Sequence, residues 1–248
     1  MCVVMGNWTV ETRNKIAVLT FGRVPDNQMD LDSLDELAGH LQDIAGRTDE
    51  VSVVMLKGGI DGIFIKHADL DILRRAAAGT LTPEAGRAWP RALGLLESIP
   101  QPVVAAIDGQ AWGGGLETAL ASTLRIASAR SHFSQPEIRN GIIPGGGGTQ
   151  RLPRLIGKGP AADLILTGRI IGAEEAHRMG ILNAVLPTEA FAQLAEDWAA
   201  QLTRNPAPAL FAAKRAILDG LALPLDDGIA LERDLFRQVI PTSAFAHI

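Results

Sequence analysis

The chain has one cysteine, Cys2, and no tyrosine. A single thiol builds neither a disulfide framework nor a cysteine-based metal site. The lack of tyrosine removes the phenol as a proton donor and as a stacking surface. Positive charge is also short. Lys and Arg number 23 against 28 Asp and Glu, a formal net charge of -5. That balance argues against nucleic acid or an anionic membrane as partner. No apolar stretch reaches membrane-spanning length, and residues 1–10 lack a basic region followed by an apolar core. A soluble, cytoplasmic protein is the expectation. Several chemistries are missing too. There is no G-x-S-x-G nucleophile elbow. Gly157-Lys158-Gly159 lacks the Ser/Thr and the upstream glycine of a phosphate loop. Glu174 and His177 have helical metal-ligand spacing without a partner set, so no metal is expected.

What is present suits a globular α/β chain. Hydrophobic residues make up 47% of the 248 and charged residues 21%, enough for a large core. Trp8–Thr12 and Lys15–Phe21 read as a hairpin around Arg13-Asn14. Leu31–Ala45 carries apolar residues at helical period, with Asp30 as its N-cap. Val51–Leu56 and Pro102–Ile107 read as buried strands, and Gly58–Gly62 as a loop. Leu124–Ala127, His132–Ser134 and Asn183–Leu186 read as shorter strands. The chain turns helical from Asp69, and Leu152–Ile156, Ala161–Leu166 and Ala173–Met179 read as short helices. This alternation argues α/β. After Pro187 the pattern becomes helical, over Glu189–Arg204, Ala207–Leu218 and Pro224–Val239, which places a boundary near residue 190.

The densest signal is two glycine runs, each with its own glutamate: Trp112–Glu117 (WGGGLE) and His132–Thr149 (HFSQPEIRNGIIPGGGGT). Glycine lets backbone approach a ligand closely and leaves N–H groups to point at it. A carboxylate beside such a run can move protons next to a stabilised oxyanion. Taken alone, Glu117 reads as a carboxylate at a helix N-terminus and Glu137 as one in a surface turn. Two carboxylates around one water can divide the work, and closeness raises one pKa.

These stretches resemble the enoyl-CoA hydratase/isomerase family, the crotonase superfamily. The likeness rests on Pro102–Glu117, Phe133–Glu137 and Gly141–Pro153. It continues through Leu166–Arg169 and Ala173–Val185. The resemblance implies a core spiral of ββα units over residues 1–190. It also implies a C-terminal helical oligomerisation region over residues 191–248, giving a homotrimer or a hexamer of paired trimers. It implies a hydratase adding water to a 2-enoyl-CoA thioester, with coenzyme A entering as part of the substrate and no other cofactor. Isomerisation, C–C bond hydrolysis or a non-catalytic binding role are the alternatives.

By the same resemblance Glu117 and Glu137 are catalytic, the amides of Ala68 and Gly114 form an oxyanion hole, and Gly145 holds the water. The loop before Asp69 departs from the family pattern, with Lys66 in place of a small residue and His67 in place of a glycine. Lys66, His67 and Asp69 are read as substrate- or water-binding. Lys66 can equally be a solvated lysine and His67 an exposed loop histidine. His67 raises the question of positive φ, and Asp71 stands where many relatives carry lysine. Trp112 reads as packing.

Overall fold

The computed structural model describes residues 6–247; Cys2 lies outside them. Ten strands form two sheets. The first runs β1 (Trp8–Arg13), β2 (Ile16–Phe21), β3 (Val53–Gly58), β5 (Val103–Ile107), β7 (Leu124–Ser128) and β10 (Ala184–Leu186). The β1–β2 hairpin is antiparallel, and every later pairing in this sheet is parallel. The second sheet runs β4 (Ile63–Ile65), β6 (Gln110–Trp112), β8 (His132–Ser134) and β9 (Ile171–Gly172). Each of β3, β5 and β7 is followed by a strand of the second sheet and then by helix, so the chain winds as a spiral of strand–strand–helix units. The first turn of the spiral is reduced: its second strand is a single parallel bridge, Met29 to Ala68.

Apolar runs dictate these strands. In β2, Ala17, Leu19 and Phe21 face a core shared with α1 (Leu31–Ala45), whereas Ile16 and Val18 face the opposite side. Strands β3 and β5 alternate in the same way. A strand buried on both faces reads as a continuous apolar segment. On the outer side the sheet is covered by Phe191, Ala195 and Ala199 of α8 (Phe191–Ala200). On the inner side Leu34, Leu37, Leu41 and Ile44 of α1 are fully buried. Truncating any one of them to alanine is expected to cost about 2–5 kcal/mol. The Asp30 side chain caps α1 by accepting from the Ser33 amide at 2.9 Å.

The remaining helices are α2 (Leu70–Ala77), α3 (Pro83–Ser98), α4 (Gly114–Ala121), α5 (Gly148–Ile156), α6 (Lys158–Thr167), α7 (Ala173–Arg178), α9 (Ala207–Gly220) and α10 (Leu225–Val239). Helix α3 falls in the stretch read as helical from Asp69 but is not set apart from α2 there, because Gly86, Pro90 and Gly94 interrupt its pattern. Its buried residues Ala88, Ala92, Leu93 and Leu96 nonetheless keep helical spacing. Helices α9 and α10 pack on one another. Lys214 of α9 is buried, and its ammonium donates to the carbonyls of Leu96, Ile99 and Gln101 at 3.2, 2.8 and 2.9 Å. That contact ties α9 to the end of α3, where the helix dipole favours a cation.

Among the described residues no helix is long and apolar enough to cross a membrane, and no group of three or more His, Cys, Asp or Glu is placed to hold a metal ion. His177 directs Nδ1 at the Leu182 carbonyl, 2.9 Å away.

Candidate active site

The second sheet and α4 set the site. Gly113, with φ +48, turns the chain from β6 into α4. Gly115 lies so close to the Ile65 carbonyl of β4 that a side chain there would collide with backbone. That approach brings the start of α4 against the segment after β4. A Cβ on Gly114 would lie 3.2 Å from the Ala68 amide nitrogen. Both amides are free: Gly114 is the first residue of its helix, whose early N–H groups have no intrahelical partner. Ala68 sits in a bridge in which its neighbours make the bonds, Met29 N–H to His67 O at 2.9 Å and Asp69 N–H to Met29 O at 2.8 Å.

These groups open into a cavity of about 340 Å³ that takes in Glu117, Glu137, Ala68, Gly114, Gly145 and His67. Six of the eight site residues expected from sequence therefore meet in one place. Apolar side chains of α2 and of the loop after Asn140 (Leu70, Ile72, Leu73, Ile142 and Ile143) form much of the remaining wall.

The other two, Lys66 and Asp69, which the sequence reading gave as water- or substrate-binding, do not line the cavity. The Lys66 ammonium is taken by an ion pair with Asp26, whose carboxyl it holds below the usual range. Asp69 caps α2 by accepting from the Asp71 amide at 2.9 Å, and it pairs with Arg23 at 2.9 Å. His67 has no positive φ. Histidine therefore fits where the family pattern has glycine, and its Nδ1 lies 2.7 Å from the Ala68 carbonyl. Trp112 donates from Nε1 to Nδ1 of His132 at 3.1 Å, outside the cavity.

The two carboxylates are held differently. Glu117 is 3% exposed and sits in the first turn of α4. Its Oε1 accepts from the amides of Gly146 and Gly148 at 2.7 and 2.8 Å. Burial pushes its carboxyl above the ordinary value, and these two amides and the Arg151 guanidinium oppose the rise. Arg151 is placed for this: it forms a two-pronged pair with Glu97 at 2.7 Å on both contacts, and its Nη1 donates to the Gly146 carbonyl at 2.8 Å.

Glu137 stands at the cavity edge in a 3-10 turn, Pro136–Asn140. Burial pushes its carboxyl up to about 7, and the Glu117 charge adds to the rise while its own backbone amide opposes it. Gln135 is fully buried behind it. With Nε2 turned to the carboxylate, that amide donates to both Glu137 oxygens at 3.0 and 3.1 Å. A Cβ on Gly113 would come within 2.7 Å of Glu137 Oε1, so the carboxylate rests on the first glycine run.

Gly146, Gly148, Arg151, Gln135 and Trp89 are the contributions that the sequence reading missed. The glycine run at 145–148 flagged the first two as a group, and only the folded loop shows which amides aim at Glu117. Trp89 lies on α3 and lines the same cavity, and no motif pointed to it.

A spiral of strand–strand–helix units is the layout of the crotonase class, and here two carboxylates share a cavity with two free amides. The match is direct in sequence. Residues 11–246 fit the family model described as enoyl-CoA hydratase/isomerase. A short-chain-enoyl-CoA hydratase of Clostridium acetobutylicum is 35% identical over 241 residues, 96% of this chain and 91% of that protein. A crotonyl-CoA hydratase of Syntrophomonas wolfei is 33% identical over 93% of this chain and 88% of the relative. The crystal structure of an enoyl-CoA hydratase from Bacillus anthracis superposes with a TM-score of 0.87 at 35% identity, covering 94% of this chain and 91% of the other. The chain belongs to the enoyl-CoA hydratase/isomerase family.

Proposed function

We propose that this protein is a hydro-lyase that adds water across the double bond of a short 2-enoyl-CoA thioester. The observation that carries the reading is the pair of unequal carboxylates, Glu117 and Glu137, facing one cavity beside the free amides of Ala68 and Gly114. In this reading the thioester oxygen accepts from the two amides. Their donation favours the charge that develops when the carbonyl becomes an enolate. Glu117, whose charge two amides and a nearby guanidinium favour against burial, takes a proton from water as the oxygen bonds to C3. Glu137, protonated near neutral pH, delivers its proton to C2. The product is a 3-hydroxyacyl thioester, and the two carboxyls have exchanged protonation states. Gly145 borders the same space and is read as a contact of the attacking water. No cofactor beyond the coenzyme A of the substrate is needed for these transfers, and we read the protein as cytoplasmic.

A short acyl group is favoured by the small cavity, over whose two glycine runs the Trp89 ring lies. Relatives named for short-chain-enoyl-CoA and crotonyl-CoA support the same choice. The test is a panel of 2-enoyl-CoA thioesters followed by loss of conjugated absorbance. The C4 thioester should turn over best. Migration of the double bond without gain of water would move the reading to isomerisation, and no turnover of any member would reject it.

The same reading makes the protein a trimer, or a hexamer of two trimers. Ile217, Leu221, Leu223, Leu225, Phe236 and Ile240 of α9, α10 and their flanks are exposed in the single chain, Leu221 by 83%. An apolar surface of this kind is suited to contact between copies. Light scattering at micromolar concentration should give three or six times the chain mass, and a monomeric mass would reject this.

A further inference from the structure

The cavity contains an unmatched pair. Trp89 lines it, and its indole Nε1–H is buried without a hydrogen-bond partner. Glu117 has one oxygen, Oε1, occupied by two amides, while Oε2 accepts from no group. The two orphans adjoin one another. A Cβ placed on Gly146 would collide with Trp89 Nε1 and lie 2.6 Å from Glu117 Oε2. Only the missing side chain of Gly146 leaves the space between them open. The ring is fixed from its other edge, where Cζ2 and Cη2 would lie 2.5 Å from a Cβ on Gly114. A buried donor without a partner is costly, and a carboxylate is the strongest acceptor it can find.

We propose that Trp89 is a positioning residue whose indole N–H donates to Oε2 of Glu117 and fixes the plane of that carboxylate across the cavity. The two carboxylates are then matched, each with a side-chain donor behind it: Gln135 for Glu137 and Trp89 for Glu117. The contact tightens when Glu117 is ionised and loosens when it is protonated. The other charged or titratable groups facing Glu117 are Glu137 from the 3-10 turn, His67 from the loop before α2, and Arg151 of α5 with its partner Glu97 of α3. The role in catalysis rests on Glu117 being the base; the contact itself does not.

The chain has four tryptophans, at 8, 89, 112 and 198, so a ¹H–¹⁵N spectrum contains four indole signals, and Trp89→Phe assigns one of them. In the substrate-free protein that signal should shift with pH. The shift should persist in Glu137→Gln and vanish in Glu117→Gln. An indole shift independent of pH, or one that survives Glu117→Gln, would overturn the proposal whatever the enzyme's activity. If the chain turns over 2-enoyl thioesters, Trp89→Phe, which keeps a ring and removes the N–H, should lower kcat about fivefold or more with KM little changed. It should also move the acid limb of kcat/KM to higher pH. A Trp89→Phe enzyme with the wild-type pH profile would likewise contradict it.

Discussion

Glu117 and Glu137 share a cavity and have opposite supports. Glu117 is built into a helix, buried, and held by backbone donors. Glu137 stands on a single 3-10 turn between Pro136 and Gly141, with only its own amide and Gln135 to stabilise its charge. Burial raises both pKa values. Glu137 is carried to about 7, where the Glu117 charge adds to the rise, whereas at Glu117 the Arg151 guanidinium opposes it. A fold can thus set two identical side chains apart by the charges and donors placed around each, because each N–H aimed at a carboxylate favours its ionised form.

Removing one carboxylate at a time should break the pair with the largest effect. Glu117→Gln and Glu137→Gln should each lower kcat by about 100-fold or more, a barrier change of roughly 2.7 kcal/mol, with little loss of ligand affinity. Near-full activity in either variant would remove that residue from the mechanism.

Stability sharpens the contrast. The folded pKa of Glu137 lies above its unfolded value, so its contribution to stability is fully present below pH 4.5 and is lost as pH rises toward 7. At pH 8 the folded protein therefore bears a buried charge that Glu137→Gln removes. That variant should gain up to about 2–3 kcal/mol at pH 8, several degrees in melting temperature, and nothing at pH 4. Glu117→Gln should gain less, since its native charge already has two amide donors. Equal gains would mean that the two supports do not differ.

Residues at the edge should matter least. His67→Gly restores the family pattern and should leave kcat within about tenfold, roughly 1.4 kcal/mol or less, because the proposed donor is the Ala68 backbone. A larger loss with fold intact would place the imidazole in the chemistry. Lys66→Met should change kcat by no more than about threefold, since its ammonium is already engaged by Asp26 outside the cavity. A greater fall in kcat with KM unchanged would place Lys66 in the chemistry.

Much of this was legible in the residues. The hairpin, α1 with its Asp30 cap, and the opening of α4 at Gly114 follow from local pattern and glycine chemistry. The bounds of helix α3 were not, because glycine and proline interrupt it and tertiary burial, not propensity, holds it. The three-residue strands β4 and β6 are too short to show a period. In the site, the glycine runs marked the region and the family resemblance singled out the two carboxylates, whereas pairing did not show. Lys66 meets Asp26 across 40 positions, and Gly146 meets Glu117 across 29. No spacing rule reaches that far, and it is these contacts that decide which groups are free to react.

The two carboxylates should titrate in a fixed order. A ¹³C NMR titration of the glutamate carboxyls, assigned with Glu117→Gln and Glu137→Gln, measures this without substrate. The Glu137 midpoint should lie near 7, above that of Glu117. A Glu117 midpoint above that of Glu137, or both groups titrating in the ordinary carboxylate range, would contradict it.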